Sequence, residues 1–550
     1  MKGFRTYLDK PSSWLVDRLA LMALVFLALV VRFHGITVPA IWYDEAFSVL
    51  LAKYDLGQIC SITARDLHPP FYYVVLHYWM IFFGDSALAV RSLSVMADVG
   101  AVLLGIKLMS LVATRRATWM AALLLALLPI SVRYSQEARM YTLLGFWLMG
   151  ATVALVCWVK QPEKKRFPII YVLLMSAAFY THYFAALCML THWFYWWWGR
   201  PGKYQTVLPV RPWILANGAI MMLFVPWLPH FIDHLSEGPV WTPPVTAQGA
   251  VSLVWLFVVM NAWGAQSLLL RAIPLMLVVA CAVVLIRKDN RPYRFNGLLI
   301  GYFFVPAVVL ASAALIVPAF APRYLIFAAA GLPLIVAAAL DKLLQRIDAL
   351  ILALVVALTA EVQGLQSVYQ QTDGLNGTDA RNDYRVDRLV AKIKQVRRPN
   401  EEVVLESLIW YLPFIYYNES RDRIRLYVRM PLDDLWNVAD RGGHGLIPES
   451  DKWIFFHDMQ ELKWEECDVW WVMPKSVTDL RPLLEKDWER SVTLADAEMV
   501  ASLYTLKAIP ASTEAGDQTT LTQPPPPAAQ NCPPAPSATS ANKTPHSSPR

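Results

Sequence analysis

Charge is scarce in this sequence of 550 residues: only 17% are Asp, Glu, Lys or Arg, against about 25% in soluble domains. The net charge of +6 is small for that length, and the basic residues stand between apolar blocks rather than in patches. That excludes a nucleic-acid binder. Cysteine is sparse as well. There are 6, with Cys157, Cys188 and Cys281 inside apolar blocks, and they show neither paired spacing nor a CxxC motif. A disulfide scaffold is therefore excluded, and no internal repeat stands out. What the chain does have is apolar residues, 56% of the total, gathered before residue 366 into blocks of roughly 20 residues. The remainder has a soluble composition. The expected fold class is an all-α polytopic membrane protein with a small soluble α/β domain at its C-terminal end.

Sidedness follows from the basic residues. The first apolar run, Leu19 to Phe33, follows Lys2, Arg5, Lys10 and Arg18, which places the N-terminus in the cytoplasm. Further spans are expected near 87–112, 117–133, 141–159, 168–181, 183–198, 213–229, 267–286, 295–317, 325–344 and 348–366. Arg115 and Arg116, Lys160 with Lys164 to Arg166, Arg200 with Lys203 and Arg211, Arg287 to Arg294, and Lys342 with Arg346 then share the cytoplasmic side. Residues 250–260 are apolar but too short to cross, and are read as an interfacial or re-entrant helix. About 11 transmembrane helices result, with everything after residue 366 outside. The plan is a membrane domain over 1–366, with residues 37–86 as its first outer loop, an extracytoplasmic domain over 367–510, and a tail over 511–550. In the second, Val386, Leu389 and Ile393 have helical spacing, while Val403 to Leu405, Trp453 to Phe456 and Val469 to Val472 read as strands. The tail, with Pro524 to Pro527 among Ala, Ser and Thr, cannot bury a core and is expected to be disordered.

The first outer loop is unlike a connector. It opens Trp42-Tyr43-Asp44-Glu45 and continues to Asp66-Leu67-His68-Pro69-Pro70-Phe71-Tyr72-Tyr73. Phe47, Leu50, Leu51 and Tyr54 have helical spacing behind Asp44 at an N-cap position, and Pro69-Pro70 stand where a second helix starts. Two amphipathic helices on the membrane surface are expected. Asp44 and Glu45 suit capping and dipole compensation as well as chemistry, and His68 suits a proline turn. Ser135-Gln136-Glu137-Ala138-Arg139-Met140-Tyr141 forms a second outer cluster. An outer Arg139 opposes the positive-inside trend, so it either pairs with Glu137 or grips a phosphate bidentately. Arg323-Tyr324 repeats the pattern, with a snorkelling anchor as the alternative. His182, in Thr181-His182-Tyr183, is a ligand, a proton carrier or a polar residue of a tight hairpin. Ionisable groups gathered on one membrane face are functional candidates.

Together these motifs resemble the GT-C glycosyltransferases over roughly residues 15–345, in the branch of the bacterial protein O-mannosyltransferase-like enzymes and the aminoarabinose transferase that modifies lipid A. The resemblance implies an enzyme moving one sugar from a polyprenyl-phosphate-linked donor to an acceptor hydroxyl, on protein, lipid or envelope glycan. The reaction would take place at the outer face of a bacterial cytoplasmic (inner) membrane, with inversion. Its catalytic pair would be Asp44, as general base, and Glu45. Asp66, His68, Tyr72, Glu137, Arg139, Tyr141, His182, Arg323 and Tyr324 would bind substrate, with Arg139 and Arg323 on the departing lipid phosphate. No cofactor is firmly implied. A divalent metal on Asp44, Glu45, Asp66 and His68 is an open option, since those are hard ligands. One departure stands out: the aminoarabinose transferases carry Glu-Lys-Pro-Pro before the second surface helix, whereas here Leu67-His68-Pro69-Pro70 puts the acid one place earlier, at Asp66.

A non-catalytic membrane scaffold whose outer domain binds a partner is one alternative, which would survive loss of Asp44, and two more remain. One is a lipid-linked sugar transporter or flippase, although transporters place ionisable groups near mid-membrane on interrupted helices, often in repeated halves. The other is an oligosaccharide polymerase or ligase with a diphosphate-linked donor, which shares the face and the chemistry.

Overall fold

The structure, a computed structural model, describes residues 11–198, 207–237, 246–261, 266–289, 293–314, 321–375 and 383–506, with gaps in the last stretch at 420–422, 430–431, 433–441, 460–461, 463–467, 478–483 and 486–487. The tail 511–550, expected to be disordered, lies outside the described residues. The chain forms two compact units, one of Met1–Pro39 with Phe47–Arg381 and the other of Ala40–Ala46 with Asn382–Arg550.

The first unit is helical. Its elements begin with α1 (Pro11–Phe33), α2 (Tyr43–Ala52, whose first turn belongs to the second unit), α3 (Leu56–Thr63), α4 (Phe71–Phe83) and α5 (Ala87–Val112). There follow α6 (Arg115–Leu127), α7 (Pro129–Ser135), α8 (Tyr141–Lys160), α9 (Arg166–Thr181), α10 (Ala185–Trp198), α11 (Val210–Phe224), α12 (Leu228–Glu237), α13 (Ala247–Val251) and α14 (Leu253–Val259). The series closes with α15 (Leu268–Arg287), α16 (Phe295–Ala313), α17 (Ile326–Ala329), α18 (Gly331–Leu343) and α19 (Ile347–Gln370). Among the described residues 7 helices are long and apolar enough to cross a membrane, or 8 if α6 and α7, bent by 48° at Leu128, make one span. The bend has a local cause, since Pro129 at the first position of α7 lacks the N–H that would continue α6. The expected spans at 168–181 and 183–198 are present as α9 and α10, but their 16 and 14 residues fall short of the roughly 20 a straight crossing needs. Residues 250–260 form α13 and α14, of 5 and 7 residues, both too short to cross.

The first loop holds three helices rather than two. α2 begins at Tyr43, so Asp44 and Glu45 occupy its first turn instead of an N-cap. α3 is started by a capping box, with Asp55 accepting from the Gln58 amide and the Gln58 side chain returning to the Asp55 amide. α4 follows Pro70 at once, as the proline pair predicts.

Several polar groups inside this apolar body are paired. Arg32 donates to Asp98 at 2.7 Å and to the Ala126 carbonyl at 2.7 Å, and Ser131 donates to the other Asp98 oxygen at 2.7 Å. Arg133 donates to Glu137 at 2.9 Å and lies 3.3 Å from Asp373. His192 is bonded at both ring nitrogens, to Thr152 at 3.0 Å and Tyr171 at 3.2 Å. Gly364 on α19 lets two helices meet: a Cβ there would strike the Val258 carbonyl of α14 and sit 2.7 Å from Pro129.

The second unit holds α20 (Val386–Val396), β1 (Glu402–Leu405), α21 (Leu408–Asn418), β2 (Ile424–Tyr427), β3 (Phe455–Phe456), β4 (Val469–Pro474), β5 (Trp488–Asp496) and β6 (Met499–Leu506). The strands form one sheet in the order β3-β2-β1-β4-β6-β5, parallel from β3 to β4 and antiparallel beyond. Its core packs Val404, Phe456, Trp471, Met473, Trp488 and Tyr504. The expected strand at Trp453 to Phe456 is shorter than its apolar run, because a 3₁₀ turn takes the residues up to Ile454.

Candidate active site

The segment between α3 and α4 turns back on itself, with the Asp66 amide donating to the Ile62 and Thr63 carbonyls at 3.1 and 3.2 Å. That places the buried Asp66 carboxylate 3.4 Å from His68 Nδ1. Burial alone would raise the Asp66 pKa, but the His68 hydrogen bond and charge, the Leu67 amide and the charge of Arg139 outweigh it, so the carboxyl stays below its usual range and ionised. His68 meets a second imidazole edge-on, with its ring centroid 5.6 Å from that of His182.

His182 sits in the turn between α9 and α10 in an extended conformation. Its Nδ1 accepts the Phe184 amide at 3.2 Å, which puts the proton of the neutral ring on Nε2. That Nε2–H is buried and has no hydrogen-bond partner among the described residues. The ring is stacked on Phe184 at 5.1 Å, with Tyr141 at 6.0 Å and Tyr324 at 5.9 Å around it. Burial, followed by the charges of His68, Arg139 and Arg323, holds its pKa well below the usual imidazole range. His182 is thus a neutral donor with an unused hydrogen bond. A folded-state pKa depressed in this way stabilises the fold fully above about pH 6.5, and that stability is lost as pH falls from there. Lowering the pH from 7.5 to 5 is therefore expected to reduce the Tm of the wild type more than that of His182→Gln, read by thermal unfolding in detergent. Equal losses would contradict the assignment.

Arg139 comes from the turn between α7 and α8. Its amide donates to the Glu137 carbonyl at 2.9 Å, its carbonyl accepts from Ser94 at 3.3 Å, and its guanidinium donates to Ser48 at 3.2 Å. Arg323 lies with its guanidinium 5.6 Å from the ring centre of Tyr324, which in turn packs on Phe184 at 4.7 Å. Asp66, His68, Arg139, Tyr141, His182, Arg323 and Tyr324, from four separate stretches of chain, therefore form one cluster. Two other expected site residues have packing partners: Glu137 accepts from Arg133, and Tyr72 is fully buried, edge-on to Tyr73 at 5.5 Å.

Asp44 and Glu45 belong to the second unit, and both are buried. Their approach is fixed by Ile41, whose amide donates to the Tyr417 hydroxyl at 2.7 Å, and by Tyr43, whose hydroxyl accepts the Gly443 amide at 3.0 Å. Among the described residues no three His, Cys, Asp or Glu side chains are gathered to hold a metal. No step of the reaction below uses a metal.

Sequence reasoning missed the residues that fix the chain entering the first loop. Arg91, fully buried on α5, donates to the Ile36 and Pro39 carbonyls at 2.6 and 2.9 Å. Gln136 holds the Arg32 and His34 carbonyls at 2.9 and 2.8 Å. The legible signal was a charge inside an apolar run, as Arg91 and Asp98 are.

Comparison with family models and with curated proteins finds no match. Solved structures do match. ArnT from Cupriavidus metallidurans in the apo state has 13% sequence identity and a TM-score of 0.62, over 90% of this chain and 98% of that one. The same protein bound to undecaprenyl phosphate has 13% identity and a TM-score of 0.61, over 92% and 100%. The oligosaccharyltransferase AglB from Archaeoglobus fulgidus, in complex with an inhibitory peptide and a dolichol-phosphate, has 12% identity and a TM-score of 0.51, over 91% and 76%. The fold of this chain is that of the GT-C membrane glycosyltransferases.

Proposed function

We propose that this protein is a membrane glycosyltransferase that moves a single sugar from a polyprenyl-phosphate carrier to an acceptor hydroxyl at the outer face of a bacterial cytoplasmic membrane. The observation that carries this reading is the polar cluster. In a unit built from apolar helices, two guanidinium groups, an ionised carboxylate and an unused imidazole N–H are gathered around aromatic rings. Such a set suits a phosphate bearing a sugar, because guanidinium matches phosphate oxygens and rings flank the sugar. The undecaprenyl phosphate bound by the ArnT structure supports the same donor class. The outer placement is supported by the sorting of basic loops described above, and by chemistry: outside the cytoplasm an activated sugar arrives on a lipid.

In the proposed reaction Asp44 takes the proton of the acceptor hydroxyl as its oxygen bonds to the anomeric carbon. The bond from that carbon to the phosphate oxygen breaks, and its electron pair leaves with the lipid phosphate. Attack from the opposite side inverts the anomeric centre. Arg139 and Arg323 stabilise the charge growing on the phosphate, and the His182 Nε2–H donates to it or to the sugar. Glu45, Asp66 and His68 position the sugar and acceptor.

The donor class is tested by ligand-induced stabilisation of the purified protein in nanodiscs. Undecaprenyl phosphate is expected to raise the Tm in a saturable way, and more than undecaprenyl diphosphate does. Stronger stabilisation by the diphosphate would favour the polymerase or ligase alternative. No stabilisation by either lipid would overturn the reading.

A further inference from the structure

The soluble domain is joined to the Asp44 motif by more than the covalent chain. Residues Ala40–Ala46, far from it in sequence, fold as part of that domain. Two of the hydrogen bonds among the described residues join them to it just before the acid. The Ile41 amide, three residues before Asp44, donates to the Tyr417 hydroxyl at 2.7 Å. The Tyr43 hydroxyl, one residue before it, accepts from the Gly443 amide at 3.0 Å. Ile41 is fully buried, so neither its amide nor its side chain exchanges these partners for water.

One helix organises both contacts. α21 starts at the Ser407 cap just after β1, near the middle of the sheet, and its last turn presents Tyr417 to Ile41. Its first half presents Leu408 and Leu412 to Gly443. The fit at Gly443 is close: an added Cβ would lie 2.8 Å from Leu408, 2.9 Å from Leu412 and 2.9 Å from the Tyr43 hydroxyl. Next to it His444 stacks on Phe455, the first residue of β3, at 5.7 Å and 23°. The turn that holds Tyr43 is therefore pinned to the sheet on one side and filled by α21 on the other, and a Cβ at Gly443 would have to push aside the Leu408 or Leu412 methyl groups or the Tyr43 hydroxyl.

We infer that the C-terminal domain is a positioning element for Asp44, acting through the Gly443–Tyr43 and Tyr417–Ile41 hydrogen bonds. Gly443, Tyr43 and Tyr417 are positioning residues that set where the carboxylate stands. The consequence for catalysis rests on Asp44 being the base, as proposed above. A displacement of about 1 Å from productive geometry can cost about 10²-fold in rate, and a side chain at Gly443 would crowd the Tyr43 hydroxyl at the contact that holds it.

The test compares Gly443→Ala, Tyr43→Phe, their double variant and Tyr417→Phe in the full-length protein, all in lipid nanodiscs. Two readouts are used. Turnover of the polyprenyl-phosphate-linked donor is expected to show kcat lowered about 10–100-fold in Gly443→Ala with KM for the donor unchanged. The double variant is expected to lose little more than Gly443→Ala alone, because both changes break one contact. Hydrogen exchange, followed by mass spectrometry, is expected to rise over 40–46 in Gly443→Ala and Tyr417→Phe while the Tm of the protein holds. Unchanged exchange over 40–46 in variants that stay folded would overturn the inference, with or without an active enzyme. So would a wild-type kcat in Gly443→Ala when Asp44→Asn is inactive. Active Asp44→Asn with raised exchange would instead remove the base assignment and leave the domain holding the segment.

Discussion

Replacing Asp44 by Asn is expected to lower the rate of sugar transfer by about 10²–10⁴-fold, the usual contribution of a positioned general base. Asn keeps the size of the side chain and its place in the first turn of α2. What it loses is the capacity to take the acceptor's proton. KM for the lipid donor is expected to change little, since the phosphate contacts are assigned to Arg139 and Arg323. The measurement is donor turnover by purified wild type and variant at matched Tm. Loss of rate together with loss of Tm would point instead to a structural role for Asp44, compensating the dipole in the first turn of α2.

The largest structural effect is expected at Asp98. Its carboxylate accepts from Arg32 and Ser131, both at 2.7 Å, in the interior of the helical unit. Asp98→Ala leaves a fully buried guanidinium with carbonyl partners only, and breaking a buried pair in this way costs about 3–5 kcal/mol. Thermal unfolding in detergent is expected to show a large fall in Tm. Replacing both partners by apolar residues of similar volume is expected to restore much of it. A single variant as stable as the wild type would show that the pair carries little of the fold. Activity is expected to suffer as well, because the Arg32 carbonyl is one of the two that Gln136 holds where the chain leaves α1 for the first loop.

Several parts of this arrangement could be read in the sequence, and the reasons differ. Helices α5, α8, α15, α16 and α19 are legible because an apolar block of spanning length has few other homes. The start of α4 is legible because Pro69-Pro70 has a local conformational meaning. Asp66, His68, His182 and Tyr324 were each named from their own motifs, but their convergence is tertiary and no spacing encodes it. The neutral state of His182 likewise depends on the Phe184 amide and on burial, neither of which a one-dimensional pattern shows. β5 was missed for a different reason. Its residues from Glu489 to Val492 are all exposed at the sheet edge, so they lack the alternation by which strands are found. The association of Ala40–Ala46 with the C-terminal domain was beyond sequence reading altogether, since the Ile41–Tyr417 contact joins residues 376 positions apart. Gly443 carries no local signal either. The crowding of Leu408, Leu412 and Tyr43 around it is tertiary.

The most direct test of the proposed reaction follows its leaving group. Purified protein in lipid would be given a native extract of polyprenyl-phosphate-linked sugars together with envelope acceptors, and mass spectrometry would track free polyprenyl phosphate and sugar-bearing products. The expected result is acceptor-dependent release of polyprenyl phosphate, matched by a product heavier by one sugar, with both absent in Asp44→Asn. Folded protein that binds the donor lipid but releases no phosphate with any acceptor, or that moves the intact donor across the bilayer, would contradict the transferase reading.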